Sequence, residues 1–566
     1  MSDLCKERIL SEHYRDFIVT RVRPPFFRQI SEEQLCEQKM DFGYSAAYLQ
    51  ETLATPITFE KFSYNSIPSC YTLLDMDALN QSGILSIQNY PTLQLKGENV
   101  IIGFVDTGID YQNPIFRNLD GSTRILGIWD QTIQSGFTPQ GIDYGSEYTE
   151  NLINEALASE TPQTLVPTVD ENGHGTFLAS VAAGGADAQN QFLGAAPECR
   201  IAMVKLKPAK HYLKQYYYIE DDVLCYQEND IMLGLHYLEN LANAYQMPLV
   251  FCVALGTNMG GHDGSLPLPF VLNQYAGEGN RAVVIGGGNE AGARHHYEGN
   301  LTNMNQSENV EIRVEQGVSG FSMELWTEIP NILSVTVTSP SGESTSNLSI
   351  RSSSSQMFQF LFEGTSLFVD YRLLVERSSS ELVFFRFAKP TPGIWRITVT
   401  PVQIATGEFH MWLPVTEFLS GTVYFIRSSP NKTITNPANS QDPLTVAFYN
   451  GEEDSIALES GRGYTRKNLI KPELAAPGVN ILGATTRQNF TRRSGSSLAA
   501  GITAGAMALL MEWVIYHRGD TGIDSVQLKS MLILGAERKN NISYPNREWG
   551  YGTLDLYRTF EETRQF

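Results

Sequence analysis

The sequence predicts an α/β fold: a parallel sheet with helices on both faces, joined to an N-terminal α+β segment and an inserted antiparallel β-sandwich. Three observations predict it. Val100-Ile101-Ile102-Gly103-Phe104-Val105 is a continuous apolar run of the kind left by a strand buried on both faces. Similar runs at Arg200–Leu206, Pro248–Leu255 and Arg281–Ile285 alternate with stretches that read as helices, as in successive strand–helix units. Beyond residue 300 the pattern changes to short runs of period two.

Length and charge bound the rest. A chain of 566 residues exceeds what one core normally holds, so two or three domains are expected. A net charge of −21 argues against nucleic acid and against an anionic membrane surface as partners. Met1-Ser2-Asp3-Leu4-Cys5-Lys6 opens no apolar run, and no span of about twenty apolar residues follows. We therefore expect no signal peptide, no transmembrane segment and synthesis in the cytoplasm. Cys5, Cys36, Cys70, Cys199, Cys225 and Cys252 are scattered without metal-ligand spacing, and read as free thiols of a reducing compartment.

In chain order, residues 1–76 are charged and poor in glycine, with a helix expected within 31–53. Around Ile67–Leu74 the chain turns extended and apolar. Residues 77–300 hold the first part of the parallel sheet. Its strands end in Asp106-Thr107-Gly108, in Gly256 and in Gly286-Gly287-Gly288-Asn289. Asn172-Gly173-His174-Gly175-Thr176 opens a small-residue helix over Phe177–Ala183, and another helix is expected around Asp230–Tyr245. Residues 301–440 alternate, as in Val310–Val314, Leu333–Val337 and Trp395–Val399. Pro340-Ser341-Gly342 and Pro390-Thr391-Pro392-Gly393 supply turns between them. Ser352–Ser355 reads as a loop. Residues 441–566 return to the sheet through Thr445–Phe448 and Ile481–Ala484. A buried helix over Leu498–Met511, one near Ser525–Leu534 and a closing helix Leu554–Glu562 follow.

Four chemistry-bearing residues fall at element ends in glycine-rich settings: Asp106, His174, Asn289 and Ser497. A serine at the start of a buried helix has backbone N–H groups and the helix dipole directed at whatever its hydroxyl attacks. It needs a base within hydrogen-bond reach, which a histidine supplies. In open parallel sheets, chemistry gathers beyond the carboxyl ends of strands, where Asp106 sits. Each residue alone has an ordinary structural explanation, such as a helix cap or a turn; the combination is what singles them out.

Val105-Asp106-Thr107-Gly108, Asn172-Gly173-His174-Gly175-Thr176, Gly287-Gly288-Asn289 and Gly495-Ser496-Ser497-Leu498-Ala499 resemble, in order, the signature blocks of the subtilisin-like serine proteases, peptidase family S8. The resemblance implies a subtilisin-like fold and a serine endopeptidase in which Asp106, His174 and Ser497 form the catalytic triad. It also implies that Asn289 and the Ser497 N–H bind the oxyanion. Ala254, Leu255 and Gly256 would pair with extended substrate, and Gly287 and Gly288 would wall the first specificity pocket. Asp110 and Ser496 are the nearest other candidates and do not occupy the family's positions. Gly501, Ile502 and Phe177 depart from residues frequent in the family without removing a catalytic group. The loop Gly184–Phe192 is short beside the family's calcium loop, so no metal and no cofactor is expected.

A leading prodomain (1–76), a catalytic domain in two parts (77–300 and 441–566) and an inserted jelly-roll-like sandwich (301–440) further resemble the Csp-type germination proteases of clostridia. That implies a zymogen that cuts off its own prodomain, between about Cys70 and Gly83, with the prodomain as a partner. It also implies a protein substrate, the precursor of a spore cortex-lytic enzyme, and a spore-associated location. Two alternatives stay open: a catalytically silent pseudoprotease acting as germinant sensor or scaffold, and an intracellular housekeeping subtilisin.

Overall fold

The computed structural model describes residues 2–31, 34–74, 84, 88, 95–346 and 353–564. A nine-stranded sheet runs through the middle. Its order is Ser455–Ile456, Leu444–Asn450, Arg281–Gly286, Leu249–Val253, Ile101–Asp106, Arg200–Lys205, Ile125–Asp130 and Ser146–Thr149, with Leu474–Pro477 also paired to Leu444–Asn450. All pairings are parallel except at the two edge strands, Ser146–Thr149 and Ser455–Ile456.

The continuous apolar runs have a direct cause. Ile102, Phe104, Ile201, Met203, Val250 and Cys252 point into one core, with Leu178, Val181, Ile502 and Met507 of the helices His174–Ala183 and Ser496–Glu512. Their strand neighbours Ile101, Val105, Ala202, Val204, Phe251 and Val253 point into the other. There they meet Leu235, Leu238, Leu268 and Leu272 of the helices Glu228–Tyr245 and Pro267–Ala276. Both faces are covered, so no polar alternation survives in these strands. Gly103 lets a helix come close: a Cβ there would lie 2.9 Å from Leu238 Cδ1. Among the described residues one helix, Ser496–His517, is long and apolar enough to cross a membrane, and it is wholly buried inside the fold.

The leading segment differs from expectation at 31–53. In place of a helix it holds Leu35–Lys39 and Tyr44–Gln50, which join Tyr14–Thr20 in a three-stranded antiparallel sheet. Ala46 and Tyr48 pack into one core while Ala47 and Leu49 pack into another, so the strand shows no period-two polarity to read. The six-thiol expectation is also corrected. The helix Ser2–Leu10 brings Cys5 beside Cys36 with Cα atoms 5.7 Å apart, and the two are joined as a disulfide. Cys70, Cys199, Cys225 and Cys252 are free and buried.

Between the strand Arg281–Gly286 and the return to the sheet at Leu444–Asn450 lie two antiparallel sheets. One has six strands, ordered His296–Asn300, Glu408–Trp412, Gly320–Glu328, Ser380–Ala388, Ser366–Arg372 and Ser353–Gln359. The other has four, Ile332–Thr338, Gly393–Gln403, Glu308–Val314 and Val423–Phe425. They share one core, to which Met323, Leu325, Val383 and Phe385 come from the first sheet and Ile312, Val335, Trp395 and Ile397 from the second. Ser353–Ser355, expected as a loop, is instead the start of an edge strand paired with Ser366–Arg372, while Ser352 falls outside the described residues. The ladder to its neighbour outweighs the weak strand preference of serine.

Candidate active site

The site lies where the sheet's connections diverge from the strand Ile101–Asp106: its two neighbours are Arg200–Lys205 on one side and Leu249–Val253 on the other. Asp106 ends that strand and is fully buried, and one carboxylate oxygen, Oδ1, accepts the Thr107 N–H at 2.7 Å. His174 opens the helix His174–Ala183, and its Nδ1 stands 2.8 and 2.9 Å from the two Asp106 carboxylate oxygens. A carboxylate only accepts, so Nδ1 carries the proton and Nε2 is the basic nitrogen. The glycines beside the histidine make this approach possible. Gly173 sits at φ +83°, and a Cβ on Gly175 would lie 2.2 Å from the Gly108 carbonyl oxygen.

Asp170 fastens these two elements together. Its Oδ1 accepts the Thr107 hydroxyl (2.8 Å) and the Gly173 N–H (2.8 Å). Its Oδ2 accepts the N–H (2.8 Å) and hydroxyl (2.7 Å) of Thr176. Thr107 Oγ1 in turn accepts the Gly175 N–H at 2.9 Å. A single buried carboxylate thus ties the loop after Asp106 to the first turn of the helix that carries His174.

Ser497 is the second residue of the helix Ser496–Glu512 and is fully buried, and its Oγ has no hydrogen-bond partner among the described residues. Its backbone N–H donates to the Leu74 carbonyl oxygen at 3.0 Å. The preceding hydroxyl is engaged: Ser496 Oγ accepts the Gly288 N–H at 3.1 Å. The Ser496 N–H donates to Asn289 Oδ1 at 3.1 Å, which leaves the Asn289 amide nitrogen as that side chain's donor. Asp110, the other acidic candidate, accepts the backbone N–H groups of Gln112 and Arg487.

The strand Cys70–Leu73 of the leading segment lies across this end of the sheet. It pairs antiparallel with Leu255–Gly256 on one side and with Tyr226–Gln227 on the other. The register is Leu73 opposite Leu255 and Thr72 opposite Gly256, and the Leu74 N–H donates to the Ala254 carbonyl at 3.2 Å. Leu74 is therefore held at both ends of its peptide unit, by Ala254 and by Ser497. A Cβ on Gly256 would lie 2.9 Å from Leu74 Cδ2, so glycine leaves the room that the leucine side chain fills. Gly288, at φ +95°, backs onto Thr435, and Gly287 lies one step behind, its carbonyl accepting the Thr435 N–H at 3.2 Å. Asp75–Gly83, the remainder of the expected cleavage window, falls outside the described residues.

The structure joins the nine sequence-named residues in smaller sets. Asp106 and His174 touch directly, Ala254 to Gly256 and the Ser497 N–H meet the chain at Thr72 to Leu74, Asn289 and Gly288 bond Ser496, and Gly287 bonds Thr435. Reading the sequence missed Asp170 and Thr435. Asp170 stands four residues before His174, a spacing that could have been read as a loop clamp. Thr435 fell in the stretch assigned to the insertion, although the last strand of the two antiparallel sheets ends at Phe425. Away from the site, Glu298, Glu408 and His410 form a set that could hold a metal ion. The Lys432 ammonium already bonds both carboxylates, at 2.9 and 2.6 Å.

Residues 97–382 and 404–552 match the Subtilase family, Peptidase_S8. The fold is similar to the solved structure of the Clostridium perfringens CspB protease, with a TM-score of 0.75 and 32% sequence identity over 85% of this chain and 96% of that one. Among curated proteins, the Arabidopsis thaliana subtilisin-like protease SBT6.1 is 29% identical over 141 residues. The Mus musculus membrane-bound transcription factor site-1 protease is 30% identical over 135. These matches cover 24% and 23% of this chain, and only 13% and 12% of the relatives' own length.

Proposed function

The chain belongs to the subtilase family, and from that premise we propose that it is a serine endopeptidase, that Asp106, His174 and Ser497 are its catalytic triad and that its first substrate is its own Leu74–Asp75 bond. The observation that carries this is the Leu74 carbonyl oxygen, 3.0 Å from the Ser497 N–H at the start of a buried helix. In this reading Ser497 Oγ attacks the Leu74 carbonyl carbon while His174 takes the hydroxyl proton. Asp106 holds the imidazole in place and stabilises the imidazolium. Negative charge forms on the Leu74 oxygen and is met by the Ser497 N–H and the Asn289 amide. His174 passes its proton to the Asp75 nitrogen as that bond breaks, and water then releases Leu74 from Ser497. Residues 1–74 are thereby a prodomain that ends as the bound product.

Beyond itself, the enzyme acts on the inactive precursor of a spore cortex-lytic hydrolase. Support comes from the structural likeness to the CspB protease, which extends over 96% of that chain and 85% of this one. A fluorophosphonate probe tests the triad, because it labels only an activated serine. Wild type freed of its leading segment is expected to carry the label on Ser497, and Ser497→Ala none. A freed wild type that resists labelling, or a labelled Ser497→Ala, would contradict the assignment. The precursor, added in trans, should be cut by the labelled form's unlabelled counterpart alone.

A further inference from the structure

The space filled by the Leu74 side chain has a polar wall. A Cβ on Gly256 would lie 2.9 Å from Leu74 Cδ2 and 2.7 Å from Thr435 Oγ1. A Cβ on Gly288 would lie 2.6 Å from the same hydroxyl. The leucine methyl and the threonine hydroxyl therefore both border the point where a Gly256 Cβ would stand, and Thr435 alone backs Gly288. Thr435 is 0% exposed, and its Oγ1 has no hydrogen-bond partner among the described residues. Its backbone is pinned. Its N–H is bonded to the Gly287 carbonyl (3.2 Å), and the next residue, Asn436, exchanges two backbone bonds with Thr257 (2.9 Å each).

A buried hydroxyl without a partner is uncommon, and it weakens whatever complex buries it. Here the side chain beside the hydroxyl is Leu74, which offers it no partner. A pocket built with a hydrogen-bonding group discriminates against a ligand that leaves the group unpaired. Gly256, Gly288 and Thr435, the described residues placed at this wall, carry no charge, so they offer a charged occupant no counterion. An uncharged amide is the chemistry that fits, and glutamine carries its amide one bond beyond the leucine methyls.

Resting on the reading of Leu74 as the residue before the cut, we propose that Thr435 is a specificity-determining residue. It makes the pocket favour an uncharged hydrogen-bonding side chain, glutamine above all, over an apolar one at the position before the cut. The chain's own leading segment is then a deliberately second-best occupant, and a protein substrate with glutamine there displaces it.

The test replaces Leu74 in the full chain by Gln or by Met, which has the same reach without the amide, in the presence of Thr435 or of Thr435→Val, its close apolar isostere. Self-cleavage is timed by the appearance of the N-terminus at Asp75. With Thr435 present, Leu74→Gln is expected to cut about tenfold faster than Leu74→Met, the worth of one hydrogen bond made in a buried site. Thr435→Val should erase that ratio while leaving the Met chain as fast or faster. A Gln-to-Met ratio that Thr435→Val leaves unchanged, or a Met chain faster than Gln in both backgrounds, overturns the proposal. Where self-cleavage is too slow to time, peptides of sequence Ser-Cys-Tyr-Thr-Leu-Gln and Ser-Cys-Tyr-Thr-Leu-Met, extended past the cut, give the same ratio in trans. A wild-type chain that never cuts after Leu74 would instead remove the premise, and the peptide series would then decide on Thr435 by itself.

Discussion

Asp170 shows how much of the site rests on a group that does no chemistry. Its four hydrogen bonds divide evenly between two oxygens, so Asp170→Asn can keep only one pair. The new amide nitrogen would face donors, either Thr107 and Gly173 or Thr176. The expected result is a fall in kcat of about ten- to a hundredfold with little change in KM, because the alignment of His174 with Asp106 suffers and the substrate strand does not. Steady-state kinetics on a peptide substrate checks it; a change confined to KM would contradict the positioning role. At this scale the sequence was most legible where a residue type is scarce and chemically marked. Asp106, His174 and Ser497 stood out through their glycine neighbours, and Gly175 explains why, since no side chain fits against the Gly108 carbonyl. Thr435 was not legible, because a threonine in a polar stretch becomes informative only once Gly256 and Gly288 are folded against it.

Among the elements, the strand Cys70–Leu73 has the largest consequence. It is the middle strand of a three-stranded antiparallel sheet whose outer strands come from the body of the protein. A substrate must replace both sets of bonds. Gly256→Ala should therefore slow self-cleavage by at least tenfold without unfolding the protein, since its Cβ would meet Leu74 Cδ2 at 2.9 Å and Thr435 Oγ1 at 2.7 Å. Time-resolved mass measurement, with a thermal melt as the folding control, decides this; an unaltered rate would mean that the leucine lies elsewhere during the reaction. The central strands and the helices His174–Ala183 and Ser496–Glu512 were readable because a strand covered on both faces and a helix of small residues each leave a strong pattern. The leading segment was not. Tyr44–Gln50 is also covered on both sides, yet it contains two alanines and lies in a charged region, so it read as a helix. The Cys5–Cys36 link depends on a helix docking against a strand 31 residues away, which spacing alone does not reveal.

For the whole molecule, buried ionisable groups set how stability follows pH. Burial pushes the Glu381 carboxyl up to about 8, against the opposing hydrogen bonds of Tyr371 and the Leu333 N–H. Burial likewise raises Glu228 and Glu512 to about 7 each. A carboxyl whose folded pKa is raised binds more protons folded than unfolded, so it loses stability as pH rises from its ordinary value near 4.5 through the raised one. His262 and His410 act oppositely. Burial lowers both to about 4, so their contribution grows between pH 4 and 6.5 and is complete above it. Between pH 6.5 and 8 these carboxyls still act, opposed near the upper end by Lys471, which burial lowers to about 8, and Tm is expected to fall. Glu381→Gln should flatten part of that fall, because glutamine keeps an acceptor for Leu333 and cannot ionise; an equally steep decline would show that another group governs it. The two packed antiparallel sheets and the leading segment are joined to the same body. Phe59 stacks on Phe384 and the Tyr64 hydroxyl donates to Glu324 at 2.7 Å, so a cut after Leu74 would leave residues 1–74 seated by many contacts besides the strand itself.

The most direct measurement is intact mass with N-terminal sequencing of purified wild type beside Ser497→Ala. Wild type is expected in two pieces, residues 1–74 and a second beginning at Asp75, and Ser497→Ala as one unbroken chain. A wild type that remains whole, a cut at another bond, or a Ser497→Ala chain cut at the same place would contradict it.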